Sequence, residues 1–363
     1  MSFLSYIVWD PIPEVISGWS IPRWYSLLFA LGFIISQQIM VYMFKKEGKK
    51  ESDVDRLTIY MVIATILGAR LGHVLFYEPD KYLSNPIDIL KIYEGGLASH
   101  GAAIGILIAL YLYTKKTAGQ SFLWIVDRIV IVVAITAVLI RLGNLMNSEI
   151  GGKPTESDYG FVFARDAEDF MMSSKMPLEN IEAMKSDWES PKDGLVPIAF
   201  QFTFLKGNYT EDQIKSTIDS NVKSMLTDYP YVRRDIAEPK DTPLNYDLKM
   251  DKGQYVATVY TWGIAKHPTQ IYEALSYLAI FILLFGIWVR KKSQVPEGYL
   301  FGIFLVLLFG ARFVWEYFKT NQVDFEDSLA LNMGQILSIP LVLAGIVIFI
   351  YSLKKQKRQG TGS

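Results

Sequence analysis

Apolar runs of roughly 20 residues, each closed by charged or turn-forming residues, constrain this chain more than any other feature. A helix of that length rises about 30 Å, the thickness of a bilayer's hydrocarbon core. The runs fall near 24–44, 57–78, 97–114, 122–147, 269–289, 298–318 and 333–353. The third is the weakest, because it begins in the glycine-rich "EGGLASHGAAIG" (94–105). The expected fold class is therefore an all-α polytopic membrane protein with seven transmembrane helices. A hydrophobic fraction of 51% and a mean hydropathy of +0.21 agree with it.

Lysines and arginines in short loops orient such a chain. "KKEGKKESDVDR" (45–56), "KK" (115–116), "RKK" (290–292) and "KKQKR" (354–358) are basic. "EPDKYLSNPIDILKIYEG" (78–95) and "KTNQVDFEDS" (319–328) are not. The two sets alternate, which puts the N-terminus outside and the C-terminus inside. "MSFLSYIVWDPIPEV" has neither a basic n-region nor a small-residue cleavage site, so it does not read as a cleavable signal peptide.

The expected domains are 1–152 with the first four helices, an extracytoplasmic head at 153–266, 267–353 with the last three helices, and a cytoplasmic basic tail at 354–363. The head reads as a small α+β insertion. "VPIAFQFTF" (196–204) alternates like a half-buried strand, and "QYVATVYTW" (254–262) reads as another. "TEDQIKSTIDSNVKSML" (210–226) opens with Thr210 and Gln213 at capping-box spacing. "NYT" at 208–210 fits a glycosylation tripeptide, a weak signal by itself. A net charge of −1 gives no sign of a nucleic-acid partner, and the absence of cysteine excludes disulfides, thiolate metal sites and a cysteine nucleophile.

Charged groups within a bilayer point to function by default. Given the topology, six helices bring theirs to the outer leaflet: Tyr25; Arg70 and His73; Ser99 and His100; Arg141, Asn144, Asn147 and Glu149; His267, Gln270, Tyr272 and Glu273; Arg312 and Glu316. Each has a structural reading too. Arg312 and Glu316 are spaced as an intrahelical pair, Arg70 and Arg141 can snorkel, His73 reads as structural, and Tyr25 fits an aromatic belt. Asp127 and Arg128, at the other end of the fourth helix, read as a cap or anchor for that helix. As a set, the outer groups suit a phospholipid-modifying enzyme. Arg70, Arg141 and Arg312 can clamp a phosphate, His100 can act as general base, Glu149 and Glu316 can orient the cations, and both asparagines can donate to headgroup oxygens.

Other classes fit less well. The last helix has no lysine for retinal, there is no HExxH for an intramembrane metalloprotease, and adjacent Ser99 and His100 with no GxSG do not form a serine-protease site. A transporter or flippase for an anionic solute or lipid is the main alternative. It lacks the midplane polar set such proteins use.

Several blocks in order resemble the prolipoprotein diacylglyceryl transferase family: "RWYSLLFALGF" (23–33), "GARLGHVLFY" (68–77), "EGGLASHGAAIG" (94–105), "RLGNLMNSEIGG" (141–152), "HPTQIYEA" (267–274), "GARFVWEYF" (310–318) and "MGQILSIP" (333–340). The resemblance implies a bacterial cytoplasmic-membrane enzyme with its site toward the extracytoplasmic leaflet. It implies transfer of the diacylglyceryl group of phosphatidylglycerol to the lipobox cysteine of a lipoprotein precursor, forming a thioether and releasing glycerol 1-phosphate. It makes His100, Arg141, Arg312, Glu316 and Tyr25 the catalytic set, with His100 the first choice of base for the thiol proton and Arg312 with Glu316 the alternative pair. It adds Asn144, Glu149 and Gly152 to the substrate-binding set, which the outer-leaflet reading completes with Arg70, Asn147, His267, Gln270 and Tyr272. No metal or cofactor is expected.

Three positions depart from the family pattern: Ile140 stands where a glycine usually precedes Arg141, Lys319 replaces a second arginine, and Leu308 and Phe309 stand where a tyrosine is common. The 153–266 segment is longer than the arm usual in the family.

Overall fold

The computed structural model describes residues 6–16, 19, 21–91, 95–157, 159–188, 194–320, 326 and 329–360. Glu94, in the third apolar run's opening block, and most of the 321–328 loop lie outside the described residues. In chain order the helices are α1 (Trp24–Lys46), α2 (Glu51–Phe76), α3 (Pro79–Ser84), α4 (Ser99–Lys116), α5 (Phe122–Met146), α6 (Arg165–Met172), α7 (Glu211–Thr217), α8 (Lys223–Asp228), α9 (Pro230–Arg233), α10 (Thr269–Lys291), α11 (Tyr299–Glu316) and α12 (Met333–Gly360). The strands are β1 (Ile7–Trp9), β2 (Phe161–Phe163), β3 (Leu178–Lys185), β4 (Leu195–Phe204), β5 (Asn245–Asp251) and β6 (Gln254–Ile264).

All seven apolar runs are helical, and six of the described helices (α1, α2, α5, α10, α11 and α12) are long and apolar enough to cross a membrane. The chain is thus a mostly helical, multi-pass membrane protein with a small sheet region. Helix α4 stands apart from the six because Ser99, His100, Lys115 and Lys116 take up the ends of its 18 residues.

The chain divides into two compact units, one of Met1–Leu28, Ile140–Ala274 and Val314–Asn332, the other of Phe29–Leu139, Leu275–Phe313 and Met333–Ser363. In the second, helices approach through small residues, as expected where lipid supplies no hydrophobic drive between helices. Gly68 and Gly72 of α2 face Gly101 and Gly105 of α4. A Cβ on Gly72 would lie 2.7 Å from Gly101 Cα, and one on Gly105 would lie 2.7 Å from the Ala64 carbonyl.

The buried side chains of Arg128 and Asp127 in this unit both find partners. Arg128 Nη2 donates to both oxygens of Glu47 at 3.0 and 2.8 Å, and Trp288 Nε1 adds a bond of 2.5 Å. Asp127 accepts the N–H groups of Gly298 and Phe301 at 2.7 and 2.8 Å. Asp127 therefore caps the start of α11 rather than its own helix, a correction to the expectation from sequence. Capping a neighbour satisfies orphan donors in a setting without water.

In the first unit, β3, β4, β6 and β5 form an antiparallel sheet in that order. Alternate residues of β4 (Val196, Ile198, Phe200, Phe202 and Phe204) enter one core with Ile214, Ile218, Val222 and Leu226. The expected helix at 210–226 is present as α7 and α8 joined by a wider turn, and Thr210 and Gln213 make the capping box. Strands β1 and β2 pair in parallel across about 150 residues of sequence, which no local pattern announces. Trp9 of β1 also donates its indole N–H to the Leu145 carbonyl at 2.8 Å.

Asp10, just beyond β1, and Glu168, on α6, are neighbouring carboxyls. Burial pushes both upward, Glu168 to about 9. Arg165 pairs with Asp169 at 2.7 Å and lies 3.6 and 3.7 Å from Asp10 and Glu168. The folded unit holds a proton that the unfolded chain releases above its ordinary 4.5, so stability present below that pH is lost as pH rises toward 9. Glu168→Gln should raise the thermal midpoint at pH 8 and leave it nearly unchanged at pH 5, as read by tryptophan fluorescence. Equal slopes for wild type and variant would contradict this.

Candidate active site

Helix α5 is apolar until Arg141 and ends at Met146, where the chain turns into "NSEIGG". Ser148 and Ile150, on either side of Glu149, have φ values of 55° and 59°, a left-handed conformation uncommon outside glycine. The turn is fastened at both levels. The Glu149 N–H donates to the Asn144 carbonyl at 2.9 Å, and the Asn144 and Asn147 side-chain amides each donate to the Glu149 carboxylate at 3.1 Å. From the start of α10, Thr269 Oγ1 donates to the Ile150 carbonyl at 2.9 Å and Gln270 Nε2 to the Glu149 carbonyl at 2.5 Å.

Arg141 is held from two sides. Its Nε pairs with Glu273 Oε2 at 2.8 Å, and its Nη1 donates to Asn144 Oδ1 at 3.1 Å. Glu273 is fully buried and its other oxygen accepts from Lys319 Nζ at 3.0 Å. Lys319, also buried, reaches Glu316 Oε1 at 3.0 Å. The order is cation, anion, cation, anion, the neutralised form in which buried charges persist.

Three segments meet at Gly152. Its N–H donates to the His267 carbonyl at 3.0 Å, and it bridges to Lys319 in β fashion. A Cβ there would strike the His267 carbonyl, lie 2.7 Å from His267 Cβ and 3.0 Å from the Phe318 carbonyl. His267 packs edge-on against Phe318, with Nδ1 3.3 Å from the Tyr272 hydroxyl. Burial lowers its pKa, which favours the neutral imidazole. Tyr25 packs on Gly143, where a Cβ would lie 2.9 Å from the ring, within electrostatic reach of Glu149 and Arg141.

The first unit thus holds ten of the expected residues: Tyr25, Arg141, Asn144, Asn147, Glu149, Gly152, His267, Gln270, Tyr272 and Glu316. Among the described residues, Asn147 Oδ1 and Gln270 Oε1 are buried acceptors without a protein donor. Hydroxyls of a polyol would suit both.

Arg70, His100 and Arg312 belong to the second unit. Arg70 departs from the expectation of an anion-binding side chain. Its Nε donates to the Ile89 carbonyl at 2.9 Å, its Nη1 to those of Gly95 and Gly96 at 2.6 and 3.3 Å, and its Nη2 to those of Asp88 and Lys91 at 2.5 and 3.2 Å. The guanidinium also lies over the Tyr82 ring. Arg70 therefore ties down the segment between α2 and α4, because backbone carbonyls engage every nitrogen. His73 is its structural neighbour, 3.3 Å from Glu78 and stacked on Tyr77. His100 is exposed in the first turn of α4, with Phe76 edge-on at 5.0 Å, and Arg312 is half-buried on α11.

Sequence reasoning placed Glu273 among the outer polar groups without a role and saw Lys319 only as a departure from a pattern. A signal existed for Glu273: it follows Gln270 by three residues, so one face of α10 presents both.

Comparison with known sequences decides the family. The family model described as prolipoprotein diacylglyceryl transferase matches residues 15–351. The chain belongs to the prolipoprotein diacylglyceryl transferase family. Relatives named phosphatidylglycerol–prolipoprotein diacylglyceryl transferase include one from Tolumonas auensis, 35% identical over 97% of this chain and all of the relative. One from Chloroherpeton thalassium is 33% identical over 99% of this chain and all of the relative, and one from Porphyromonas gingivalis is 36% identical over 98% and 97%. In this transferase Gly152–Thr155, after α5, and Ala265–His267, before α10, hydrogen-bond to each other. The Thr155 N–H donates to the Ala265 carbonyl at 2.8 Å, and the His267 N–H donates to the Lys153 carbonyl at 3.0 Å.

Gly152→Ala should lower turnover at least about 10-fold and destabilise the protein by about 2 kcal/mol, since the methyl group meets backbone on two sides. Steady-state kinetics and thermal unfolding of the purified variant measure both. Wild-type values for the two would contradict the packing argument.

Proposed function

We propose that this protein transfers the diacylglyceryl group of phosphatidylglycerol to a prolipoprotein, the activity for which its relatives are named. The observation that carries the reading is Arg141, fixed between Glu273 and Asn144 at the polar end of an otherwise apolar helix. A guanidinium so held suits a phosphate at the membrane boundary. The acceptor is the thiol of a lipobox cysteine on the precursor, in keeping with an enzyme that has no cysteine of its own.

The thiolate attacks the glyceryl carbon that carries the phosphate. A C–S bond forms, the C–O bond breaks, and glycerol 1-phosphate leaves. The phosphodiester monoanion becomes a monoester dianion, so negative charge builds at the phosphate during the step. Arg141 and Arg312 are assigned to that charge, where fixed cations act most strongly. His100, from the "GGLASHG" block, is assigned the thiol proton, and Glu316 and Lys319 balance the nearby charge. Tyr25, Asn144, Asn147, Glu149, Gly152, Gln270, His267 and Tyr272 form the headgroup side of the site. Asn147 Oδ1 and Gln270 Oε1 accept from the glycerol hydroxyls. Arg70 is left out of the headgroup set, since its donors hold the segment after α2.

The topology that goes with this reading has seven spans including α4, the N-terminus and the 153–266 head outside, and the 354–363 tail inside. The site then faces the outer leaflet of the bacterial cytoplasmic membrane. The alternation of basic and non-basic loops supports that arrangement.

Purified protein incubated with phosphatidylglycerol vesicles and a lipobox peptide should release glycerol phosphate. Arg141→Ala should reduce the rate about 100-fold or more, and a peptide with serine for cysteine should give none. Lipid redistribution between leaflets without glycerol phosphate release would instead indicate a flippase.

A further inference from the structure

We infer that Glu273 is the positioning residue of the transfer reaction: one buried carboxylate, locked by Lys319, sets the plane of the Arg141 guanidinium. The inference rests on the proposed role of Arg141 at the phosphate.

A guanidinium held at one nitrogen can rotate about that contact, whereas partners on two different edges restrict its plane. Arg141 is held on both edges, by an ion pair of Nε with Glu273 at 2.8 Å and by a hydrogen bond from Nη1 to Asn144 at 3.1 Å. The carboxylate is held in its turn, because Lys319 Nζ takes its second oxygen at 3.0 Å. The side chains of Glu273 and Lys319 are 0% and 5% exposed, so water does not compete for the bond between them. Lys319 is fixed from its other side by Glu316 and by the backbone bridge to Gly152.

The sequence of α10 gives the arrangement a further consequence. Gln270 and Glu273 lie three residues apart on one face of the helix. Gln270 holds the carbonyl of Glu149, and Glu273 holds the side chain of Arg141. One turn of α10 therefore holds both ends of the "RLGNLMNSE" stretch. Charge balance follows the same line. Arg141 and Lys319 alternate with Glu273 and Glu316 along the chain of ion pairs. Glu273 need not touch the substrate for any of this; it acts through Arg141.

The test uses full-length protein, phosphatidylglycerol vesicles and a lipobox peptide. Glu273→Gln should lower kcat about 30- to 100-fold and keep KM for the lipid within about threefold, because orientation matters most as charge develops. In an Arg141→Lys background, which has no guanidinium plane to set, the same substitution should lower kcat less than about threefold. A purely structural role predicts equal losses in both backgrounds. If Glu273→Gln does not fold, Glu273→Gln with Lys319→Met removes the two opposite charges together and should still show the kcat loss. A folded variant of either kind with kcat within about threefold of wild type, or equal losses in the two backgrounds, overturns the inference alone. A wild-type protein that releases no glycerol phosphate overturns both the inference and the reading of the function beneath it.

Discussion

The carboxylate of Glu273 between Arg141 and Lys319 is the interaction on which the rest of the site depends. A lone arginine at the end of a lipid-embedded helix would carry a large desolvation penalty. Pairing removes most of it and at the same time fixes direction. Three separate stretches of chain supply the members of the cluster: the end of α5, the first turns of α10 and the turn after α11. Each stretch is shaped by its own backbone constraint. Ser148 and Ile150 turn the chain after α5, Gly152 admits two backbones at once, and Lys319 sits in the bridge that Gly152 makes. The charge network and the backbone junction are one construction.

The same principle recurs in the second unit without a catalytic purpose. Glu47 and Arg128 neutralise each other at the basic end of α1 and α5, and Asp127 caps α11. Arg70 meets five backbone carbonyls, while Gly68, Gly72, Gly101 and Gly105 let α2 and α4 approach to backbone contact. Arg70 and Arg128 are thus closed on protein partners, whereas Arg141 belongs to the network around Glu273. Counting charged residues in apolar runs does not separate the two groups; following each donor to its acceptor does.

That difference explains what was legible in the sequence. The seven helical runs, the capping box at Thr210 and the strands at β4 and β6 follow from local periodicity, and the structure places them within a few residues. Arg141, Asn144, Glu149 and Gly152 were legible because they interrupt an apolar run in one short block. Arg70 looked the same in sequence, since its carbonyl acceptors at 88–96 depend on loop conformation. Glu273 and Lys319 became a pair only through folding, 46 residues apart. The β1–β2 pairing was invisible for the same reason: a three-residue strand has no period to read, and its partner lies far along the chain. Asp127 was recognised as a capping residue but assigned to the wrong helix, because a cap between helices has no sequence spacing.

The most direct test of the account is the mass of the peptide product. A lipobox peptide incubated with the protein and phosphatidylglycerol of defined acyl chains should gain one diacylglyceryl group on its cysteine sulfur. The linkage should survive hydroxylamine, as a thioether does and a thioester does not. An unmodified peptide, or one carrying a single acyl group released by hydroxylamine, would contradict the account.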